Sequence, residues 1–345
     1  MKDKIVSIIM PTYNREKTIL RAVESVINQT YPFWELYIVD DAGNDGTEKL
    51  ILENYKMDNR IHYVKNIKNG GPAFARNRGI TLAKGEYYAF LDSDDEWINI
   101  HLEEAINLLE KSRYKIASAL WYEEKDGSTT SILQYDWYRQ SSDQASKELS
   151  INMKEECIFF GDNFLEYIIN SGYYCFHINT IVIHKSVIEA IGLFDEKLKA
   201  SEDMDFLYRI FEHYNLLLIN KPHFIYHYGI DNIYAFIERD IVYENMHRLD
   251  EVVKDKIIYT LYYKIIFFRK LRIRSKKNSI LFNKVKKSID FNILRRYLTI
   301  CYLSEKIKYK IYLFQAIRYI HGMNDIKTIL GYKKNRHVLQ YFCDD

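Results

Sequence analysis

Apolar runs and amphipathic segments alternate over the first hundred residues of the chain. Each apolar run has the length and composition of a buried strand, and each intervening segment repeats apolar residues at helical spacing. Such alternation is typical of an α/β fold in which a mostly parallel sheet is flanked by helices. Strands are predicted at 6–10, 36–39, 61–64 and 87–91, and helices at 15–28, 47–55 and 73–83.

The pattern continues less regularly after residue 99. It predicts a helix at 100–109 and strands at 116–122 and 179–183. A polar connection at 136–156 is expected to be either a lid or a surface insertion. Near the start of the chain, Asn14 directly precedes the helix predicted at 15–28. Its side chain is of a type that is common at helix N-caps.

The pattern changes near residue 236, where long helical periodicities rich in Tyr, Phe, Ile and Lys begin. From there onward the chain has no Pro and only two Gly, Gly322 and Gly331, so little interrupts the helical pattern. We therefore predict a first domain at 1–235 and an appended C-terminal helical domain at 236–345.

Composition narrows the class of protein. The 345 residues are 48% hydrophobic and 28% charged, with 13 Gly and 4 Pro, which excludes collagen-like and disordered chains. The cysteines lack the spacing of a metal knuckle or a CxxC motif, so reduced thiols are expected at Cys157, Cys175, Cys301 and Cys343. No uninterrupted apolar stretch reaches ~18 residues, so we expect no membrane span and a cytoplasmic location.

The formal net charge of +2 conceals an uneven distribution. Residues 241–345 hold 23 Lys and Arg against 9 Asp and Glu, whereas residues 1–240 hold 26 against 38. Within 264–287, basic residues alternate with Ile, Phe and Leu, which suits either a solvated helix face or an anionic membrane surface. We favour the membrane surface. A homo-oligomer contact is a further alternative, and no recognised module predicts nucleic-acid binding.

Carboxylates follow two of the predicted strands. Asp40 and Asp41 come after the second strand, and Asp92, Asp94 and Asp95 come after the fourth. Ligands of open α/β sheets bind outside the carboxyl ends of the strands, so both acidic loops are expected to line one crevice. Such residues are also common in turns and helix caps. At a strand end, however, the second loop offers hard oxygen ligands to Mg²⁺ or Mn²⁺.

Three further groups could act in such a crevice. Arg76 is either a surface charge or a partner for diphosphate. Glu202 and Asp203 begin an amphipathic segment, where they either favour the helix dipole or supply a base for a hydroxyl nucleophile. His223 and His227 lie among strand-forming residues, where a structural role is expected more than metal binding. The chain has no GxGxxG, Walker A, HExxH or GxSxG motif.

Five motifs follow one another along the chain. They are Pro11-Thr12-Tyr13-Asn14-Arg15, Val39-Asp40-Asp41-Ala42-Gly43-Asn44-Asp45-Gly46-Thr47, Gly70-Gly71-Pro72-Ala73 with Ala75-Arg76-Asn77-Arg78-Gly79, Leu91-Asp92-Ser93-Asp94-Asp95, and Glu202-Asp203. In this order they resemble the family 2 inverting glycosyltransferases with a GT-A fold, and the likeness covers about residues 4–235. Five ordered matches are far more specific than any one of them.

The resemblance implies roles for particular residues. It implies a nucleoside-diphosphate sugar donor, UDP-linked by preference, and a divalent cation, Mn²⁺ or Mg²⁺. By the same likeness Asp203 is the general base and Glu202 assists it. Asp94 and Asp92 hold the cation, with His227 as a further candidate ligand. The residues placed around the nucleotide sugar are Pro11, Thr12, Tyr13, Asp40, Asp41, Arg76, Asp92 and Ser93.

The resemblance also implies an activity. We expect an inverting transferase of hexosyl type that acts on a glycan or lipid-linked acceptor in bacterial capsule or lipopolysaccharide synthesis. Its expected place is the cytoplasm, with peripheral attachment to the inner face of the cell membrane. One alternative is a metal-dependent nucleotidyltransferase, which also uses strand-end carboxylates and a cation on phosphates. The other is a non-catalytic, membrane-attached scaffold with a vestigial donor pocket.

Overall fold

The computed structural model describes residues 4–171, 173–196 and 202–228. The helical domain predicted at 236–345, with the basic stretch at 264–287, lies outside the described residues and stays a prediction. Within the described part of the chain, no helix is both long enough and apolar enough to cross a membrane.

Strands and helices alternate as the sequence pattern predicts. After residue 95 the structure also contains short strands that the pattern did not predict. The strands are β1 (Val6–Thr12), β2 (Trp34–Asp40), β3 (Ile61–Lys65), β4 (Tyr87–Phe90), β5 (Glu96–Trp97), β6 (Ile116–Lys125), β7 (Ser128–Ser131), β8 (Cys157–Phe159), β9 (Val182–His184) and β10 (Leu217–His227). The helices are α1 (Ile19–Ile27), α2 (Thr47–Tyr55), α3 (Pro72–Leu82), α4 (His101–Lys111), α5 (Asp136–Leu149), α6 (Phe164–Ser171), α7 (Lys185–Ile191) and α8 (Glu202–Phe211). Two 3₁₀ turns lie at Ile132–Gln134 and Ile178–Thr180.

A single mixed sheet joins the strands of the described residues. Its path runs β3-β2-β1-β4-β9-β6-β10-β5, while β7 pairs with β6 and β8 with β10. The first four strands of this path are parallel, which confirms the parallel sheet predicted for the first part of the chain. β9 is antiparallel to both β4 and β6, whereas β6 and β10 are parallel. Every residue of β1 and β4 is buried, so both faces of the sheet are covered there.

Helix α3 packs closely on the sheet because of Gly79. A Cβ at this position would lie 2.6 Å from Ile9 Cγ2, so a larger residue would push the helix away from β1. Asn77 on the same helix is buried and exchanges two hydrogen bonds with the backbone of Phe194, at 2.8 and 2.9 Å. These contacts fix α3 between the sheet and the segment that follows α7.

The first helix begins later than predicted. α1 starts at Ile19, with Thr18 in the N-cap position. Asn14 has a left-handed backbone, with φ 53°, and its Oδ1 accepts a hydrogen bond from Asn44 N at 2.8 Å. The predicted N-cap role of Asn14 is therefore wrong, because its side chain holds the loop after β2 instead.

Two predictions after residue 99 also change in the structure. The polar connection at 136–156 contains α5, which buries Tyr138 and Ala145 and exposes most of its polar residues, so the apolar repeat is weak. The strand predicted at 179–183 begins only at Val182, since a 3₁₀ turn occupies Ile178–Thr180.

Candidate functional site

The carboxyl ends of β1, β2 and β4 lie at one edge of the sheet, because these strands are parallel neighbours. Asp41 N donates to Thr12 O at 2.8 Å, which joins the residues after β1 and β2. Thr18 Oγ1 donates to Ser93 O at 2.9 Å and joins the segment after β1 to the loop after β4. The two acidic loops thus lie at the same edge.

Asp40 is buried, and both of its carboxylate oxygens have partners in the chain. Oδ1 accepts from Gly43 N at 2.7 Å, and Oδ2 accepts from the hydroxyl of Tyr63. Burial and the neighbouring carboxylate raise the pKa of Tyr63, so the hydroxyl remains a donor. Asp40 therefore holds the turn after β2 and ties it to β3.

Asp41 organises the loop that leads into α3. Its Oδ2 accepts from Gly71 N at 2.6 Å, and Gly70 N lies 3.0 Å from both of its oxygens. Its Oδ1 also accepts from Asn66 Nδ2 at 2.8 Å. Gly71 has φ 87°, a left-handed conformation that glycine adopts without strain. A base or ribose contact by Asp41 would use the lone pairs that these donors leave open.

Arg76 connects parts of the site that are far apart in sequence. Its Nη2 lies 2.7 Å from Asp92 Oδ1, and its Nη1 lies 2.7 Å from Glu202 Oε1. The side chain is only 4% exposed, so a surface role is excluded. Burial alone would lower the pKa of Arg76, but the charges of Asp92, Glu202 and Asp203 outweigh it and raise that pKa. Arg76 is therefore a permanent buried cation at the centre of the acidic cluster.

Asp94 lies beside a second arginine. Arg15 Nη2 is 3.2 Å from Asp94 Oδ2, and Arg21 Nη2 donates to the backbone oxygen of Asp94. Burial raises the pKa of Asp94, the charge of Arg15 lowers it, and the charge of Asp92 raises it again. The net direction is upward. A proton on this carboxyl is thus easier to add than on an isolated aspartate, unless a further cation approaches it.

The donor set fits a hard divalent cation that is shared with a phosphate ligand. Mg²⁺ and Mn²⁺ commonly use one or two carboxylates and complete their coordination with water and substrate phosphates. Asp92 and Asp94 supply two carboxylates, and their side chains are 29% and 28% exposed. Among the described residues, no group of three or more His, Cys, Asp or Glu side chains could hold a metal ion unaided. Phosphate oxygens would have to complete such a site.

His227 has partners other than the cation that the resemblance implied. Its Nε2 lies 2.8 Å from Glu96 Oε1, and its Nδ1 lies 3.2 Å from Glu124 Oε2. Its backbone N donates to Asp95 Oδ1 at 2.8 Å. Both ring nitrogens are therefore occupied by carboxylates, so the geometry gives no support to His227 as a metal ligand. A structural role in fixing the end of β10 accounts for its contacts.

Glu202 and Asp203 begin α8, but they have different surroundings. Glu202 is 7% exposed and its carboxylate is bound by Arg76. Asp203 is half-buried, and its Oδ1 is shielded from solvent without a hydrogen-bond partner among the described residues. A buried acceptor without a donor is unusual and marks a place where a ligand can donate. Of the two acids, Asp203 is the one with a carboxylate oxygen that no donor of the described residues occupies.

The remaining predicted residues line the same edge in different ways. Thr12 is buried, and its Oγ1 has no hydrogen-bond partner within the described ranges. Tyr13 is 48% exposed, so its ring is available to a flat ligand such as a base. Pro11 pairs with Val39 in the sheet, and Ser93 is buried with its backbone oxygen bound to Thr18. These last two residues therefore shape the backbone of the site.

Sequence reasoning missed Asn179, which holds the loop after β4. Its Oδ1 accepts from Asp92 N at 3.1 Å, and its Nδ2 donates to Asp95 Oδ2 at 2.7 Å. The residue is fully buried. Burial, together with the charges of Asp94 and Asp92, raises the pKa of Asp95 well above its usual range. The only feature of the sequence that could have indicated this role was the amide side chain of Asn179 at the start of an apolar run.

Comparisons with known proteins find a family model and several relatives that part of this chain resembles. Residues 7–166 match the family model described as Glycosyl transferase family 2. The chain is 46% identical over 112 residues to WfgD of Escherichia coli, described as UDP-Glc:alpha-D-GlcNAc-diphosphoundecaprenol beta-1,3-glucosyltransferase. That match covers 32% of this chain and 44% of WfgD. WfaP of Escherichia coli, with the same description, is 40% identical over 129 residues, which are 37% of this chain and 51% of WfaP. The chain thus spans about half the length of these relatives.

A solved structure has a similar fold. The crystal structure of S. aureus TarS 1-349 in complex with UDP-GlcNAc matches with a TM-score of 0.56 at 18% sequence identity. The match covers 91% of this chain and 91% of that one. It supports the predicted α/β architecture of GT-A type, a mostly parallel sheet flanked by helices. The motifs gather at one sheet edge, and residues 7–166 of this chain are similar to the Glycosyl transferase family 2 model.

Proposed function

We propose that this chain transfers a sugar from a UDP-sugar to a hydroxyl of a lipid-linked glycan, with inversion, in bacterial surface polysaccharide synthesis. The observation that carries the proposal is the position of Arg76. Each of its terminal nitrogens lies 2.7 Å from a carboxylate, Asp92 on one side and Glu202 on the other. The loop expected to hold the diphosphate and the helix expected to carry the base are therefore joined by one side chain.

The acceptor side of the mechanism rests on Asp203. As the acceptor hydroxyl oxygen attacks the anomeric carbon, Asp203 takes its proton, since Oδ1 is a carboxylate oxygen without a donor among the described residues. Glu202 is bound to Arg76 and so positions the first turn of α8. The bond from the anomeric carbon to the diphosphate oxygen breaks in the same displacement, which inverts the anomeric configuration.

The donor side rests on the loop after β4. Asp92 and Asp94 would hold Mn²⁺ or Mg²⁺ against the diphosphate, with Arg15 beside Asp94. When bound, the cation neutralises negative charge on the leaving diphosphate. Arg76 holds Asp92 in position, and Asn179 fixes the backbone of the same loop through Asp92 N. Thr12 and Tyr13 are available to the nucleotide at the neighbouring strand end.

The relatives suggest the substrates. The descriptions of WfgD and WfaP print UDP-Glc as donor and alpha-D-GlcNAc-diphosphoundecaprenol as acceptor, and the TarS structure contains UDP-GlcNAc. We propose a donor and an acceptor of these chemical classes for this chain. An acceptor anchored in lipid agrees with a cytoplasmic protein held peripherally at the membrane by the basic residues of 264–287.

The products of the reaction test the proposal. The full chain is incubated with Mn²⁺, UDP-Glc or UDP-GlcNAc, and a synthetic α-D-GlcNAc-diphosphate that carries a short lipid. We expect acceptor-dependent release of UDP and a lengthened glycan of inverted configuration, identified by mass spectrometry and NMR. Release of pyrophosphate from a nucleoside triphosphate and a sugar phosphate would instead establish a nucleotidyltransferase. Liposome binding with neither reaction across a panel of donors would establish a non-catalytic scaffold.

A further inference from the structure

A histidine that the proposed mechanism does not use lies beside the acidic cluster. His177 precedes the 3₁₀ turn at Ile178–Thr180 and is half-buried. Burial lowers the pKa of His177 to about 4, with Asp92 acting to raise it and Arg76 to lower it further. The ring therefore lies within electrostatic reach of the centre of the site and is uncharged near neutral pH.

The backbone fixes which nitrogen of His177 carries the proton. Its Nδ1 accepts a hydrogen bond from Asn179 N at 3.2 Å. A neutral imidazole whose Nδ1 accepts must carry its hydrogen on Nε2. Among the described residues, this Nε2–H group has no hydrogen-bond partner. His177 thus has a neutral N–H donor. Its ring is oriented by Asn179, the residue that also holds the loop after β4.

Aromatic rings pack near the imidazole of His177; Phe224 and Trp121 are buried, whereas Tyr226 is half-exposed. The ring centroid of His177 lies 4.8 Å from that of Phe224, 5.9 Å from that of Trp121 and 5.9 Å from that of Tyr226. These three residues come from β6 and β10, which are separated from β4 in the sheet by β9. His177 and these aromatic residues therefore lie on one side of the acidic loop, and the strand ends that carry Thr12 and Asp40 lie on the other.

This combination of groups selects for a sugar over a phosphate. A diphosphate is bound best by charged donors, which Arg15 and Arg76 already provide at the acidic loop. A neutral N–H beside the half-exposed ring of Tyr226 instead suits a ligand with both apolar surface and hydroxyl groups, since binding sites combine apolar walls with a few directed polar groups. Carbohydrate rings have this character.

We infer that His177 binds a hydroxyl of the acceptor sugar through its Nε2–H group, beside the half-exposed ring of Tyr226. The inference rests on the proposed function and names a residue of its acceptor subsite. The donor sugar would lie nearer the cation and the diphosphate, on the β4 side of the group. His177 is thus an acceptor-binding residue, distinct from the base Asp203.

Two substitutions separate the hydrogen bond from the shape of the side chain. His177→Leu keeps much of the volume but removes the donor, whereas His177→Gln keeps an N–H group at similar reach. His62→Leu is the matched control, because this histidine lies on β3 with its ring against Tyr37, 4.8 Å between centroids. Steady-state kinetics with UDP-Glc and the synthetic α-D-GlcNAc-diphosphate lipid give KM for each substrate separately.

We expect His177→Leu to raise the acceptor KM about 3- to 10-fold, the worth of one neutral hydrogen bond, with the donor KM changed less than about 2-fold. His177→Gln should recover most of the acceptor KM, and His62→Leu should match the wild type. An unchanged acceptor KM, a larger rise in donor KM, or no rescue by Gln would each overturn the inference while transfer itself persists. Absence of transfer by the wild type would count against the proposed function instead.

Discussion

Arg76 and Asp203 illustrate how burial decides which charged residues of the site are free to react. The guanidinium of Arg76 is held between Asp92 and Glu202, so these two carboxylates are partly neutralised within the chain. Removal of one partner from a buried ion pair leaves an uncompensated charge, which is strongly destabilising. Asp203 contributes to the same electrostatic field, yet its Oδ1 lacks a donor among the described residues. The difference supports the proposed role of Asp203 as the base.

Asp203→Asn should lower turnover by about 10²- to 10⁴-fold, because the amide cannot take the acceptor proton. The amide has nearly the same shape, so UDP binding and the thermal midpoint of unfolding should change little. Transfer rates from UDP release provide the measurement, and calorimetry with UDP provides the check on binding. Asp136→Asn, on an 81% exposed side chain, is the control. Turnover within about 3-fold of the wild type would remove Asp203 from the mechanism.

Asp94→Ala should weaken Mn²⁺-dependent UDP binding at least about 10-fold, or about 1.4 kcal/mol, because the cation would lose a carboxylate ligand. The measurement is calorimetric titration of UDP with Mn²⁺ present and again after chelation by EDTA. Asp143→Ala on the exposed surface of α5 serves as the control. Equal Mn²⁺ dependence in the Asp94 variant and the wild type would contradict the cation assignment.

At the scale of elements, the site depends on how closely α3 lies against β1 and β2. Arg76, Asn77 and Gly79 lie on the buried face of this helix. Gly79 permits the close approach to Ile9, and Asn77 ties the helix to Phe194. Arg76 can therefore reach both Asp92 and Glu202 only while the helix keeps this position. The absence of a side chain at Gly79 therefore also determines where Arg76 meets the acidic cluster.

Gly79→Ala should lower the free energy of unfolding by about 1 to 3 kcal/mol, because the added methyl group overpacks a full core. Its Cβ would lie 2.6 Å from Ile9 Cγ2. Urea unfolding followed by circular dichroism measures the change. In an Ile9→Ala background the same substitution should cost less, since the clashing atom is absent. An equal cost in both backgrounds would mean that contact with Ile9 is not the cause.

At the scale of the whole molecule, a fully buried pair of histidines contributes, together with His177, to the dependence of stability on pH. His101 and His223 are fully buried, with their Nδ1 atoms 3.4 Å apart. Burial lowers the pKa of His101 well below its usual range and that of His223 to about 4, with smaller contributions from His223 and Lys221 respectively. In the unfolded chain both rings titrate near 6.5. Below that pH the unfolded state binds more protons than the folded state.

The free energy of unfolding should therefore be highest above pH 6.5 and fall as the pH drops toward 4. A histidine that stays neutral in the folded state contributes a loss of about 2 kcal/mol between pH 6.5 and pH 5. Urea unfolding at a series of pH values measures the slope. His101→Leu should flatten it. A slope that is the same in the wild type and in His101→Leu would refute the assignment.

The sequence determined the elements and the chemical character of the site. Strands and helices of the first hundred residues follow from local periodicity, and acids directly after β2 and β4 must lie at strand ends wherever the sheet forms. The boundaries of helices were predicted less accurately where a side chain binds a distant loop. Asn14 binds Asn44 instead of capping α1, and local spacing carries no information about such a partner.

Tertiary structure alone decided which of these groups are free and which are already bound. Arg76 and Glu202 are 126 positions apart, yet their atoms lie 2.7 Å from each other. His227 meets Glu96 and Glu124 across neighbouring strands, and Asn179 reaches the loop after β4 from a 3₁₀ turn. The residue type determines which hydrogen bonds or protons a side chain can donate or accept. Only the packing of remote segments determines which partners use that capacity and which oxygen or nitrogen is left for a substrate.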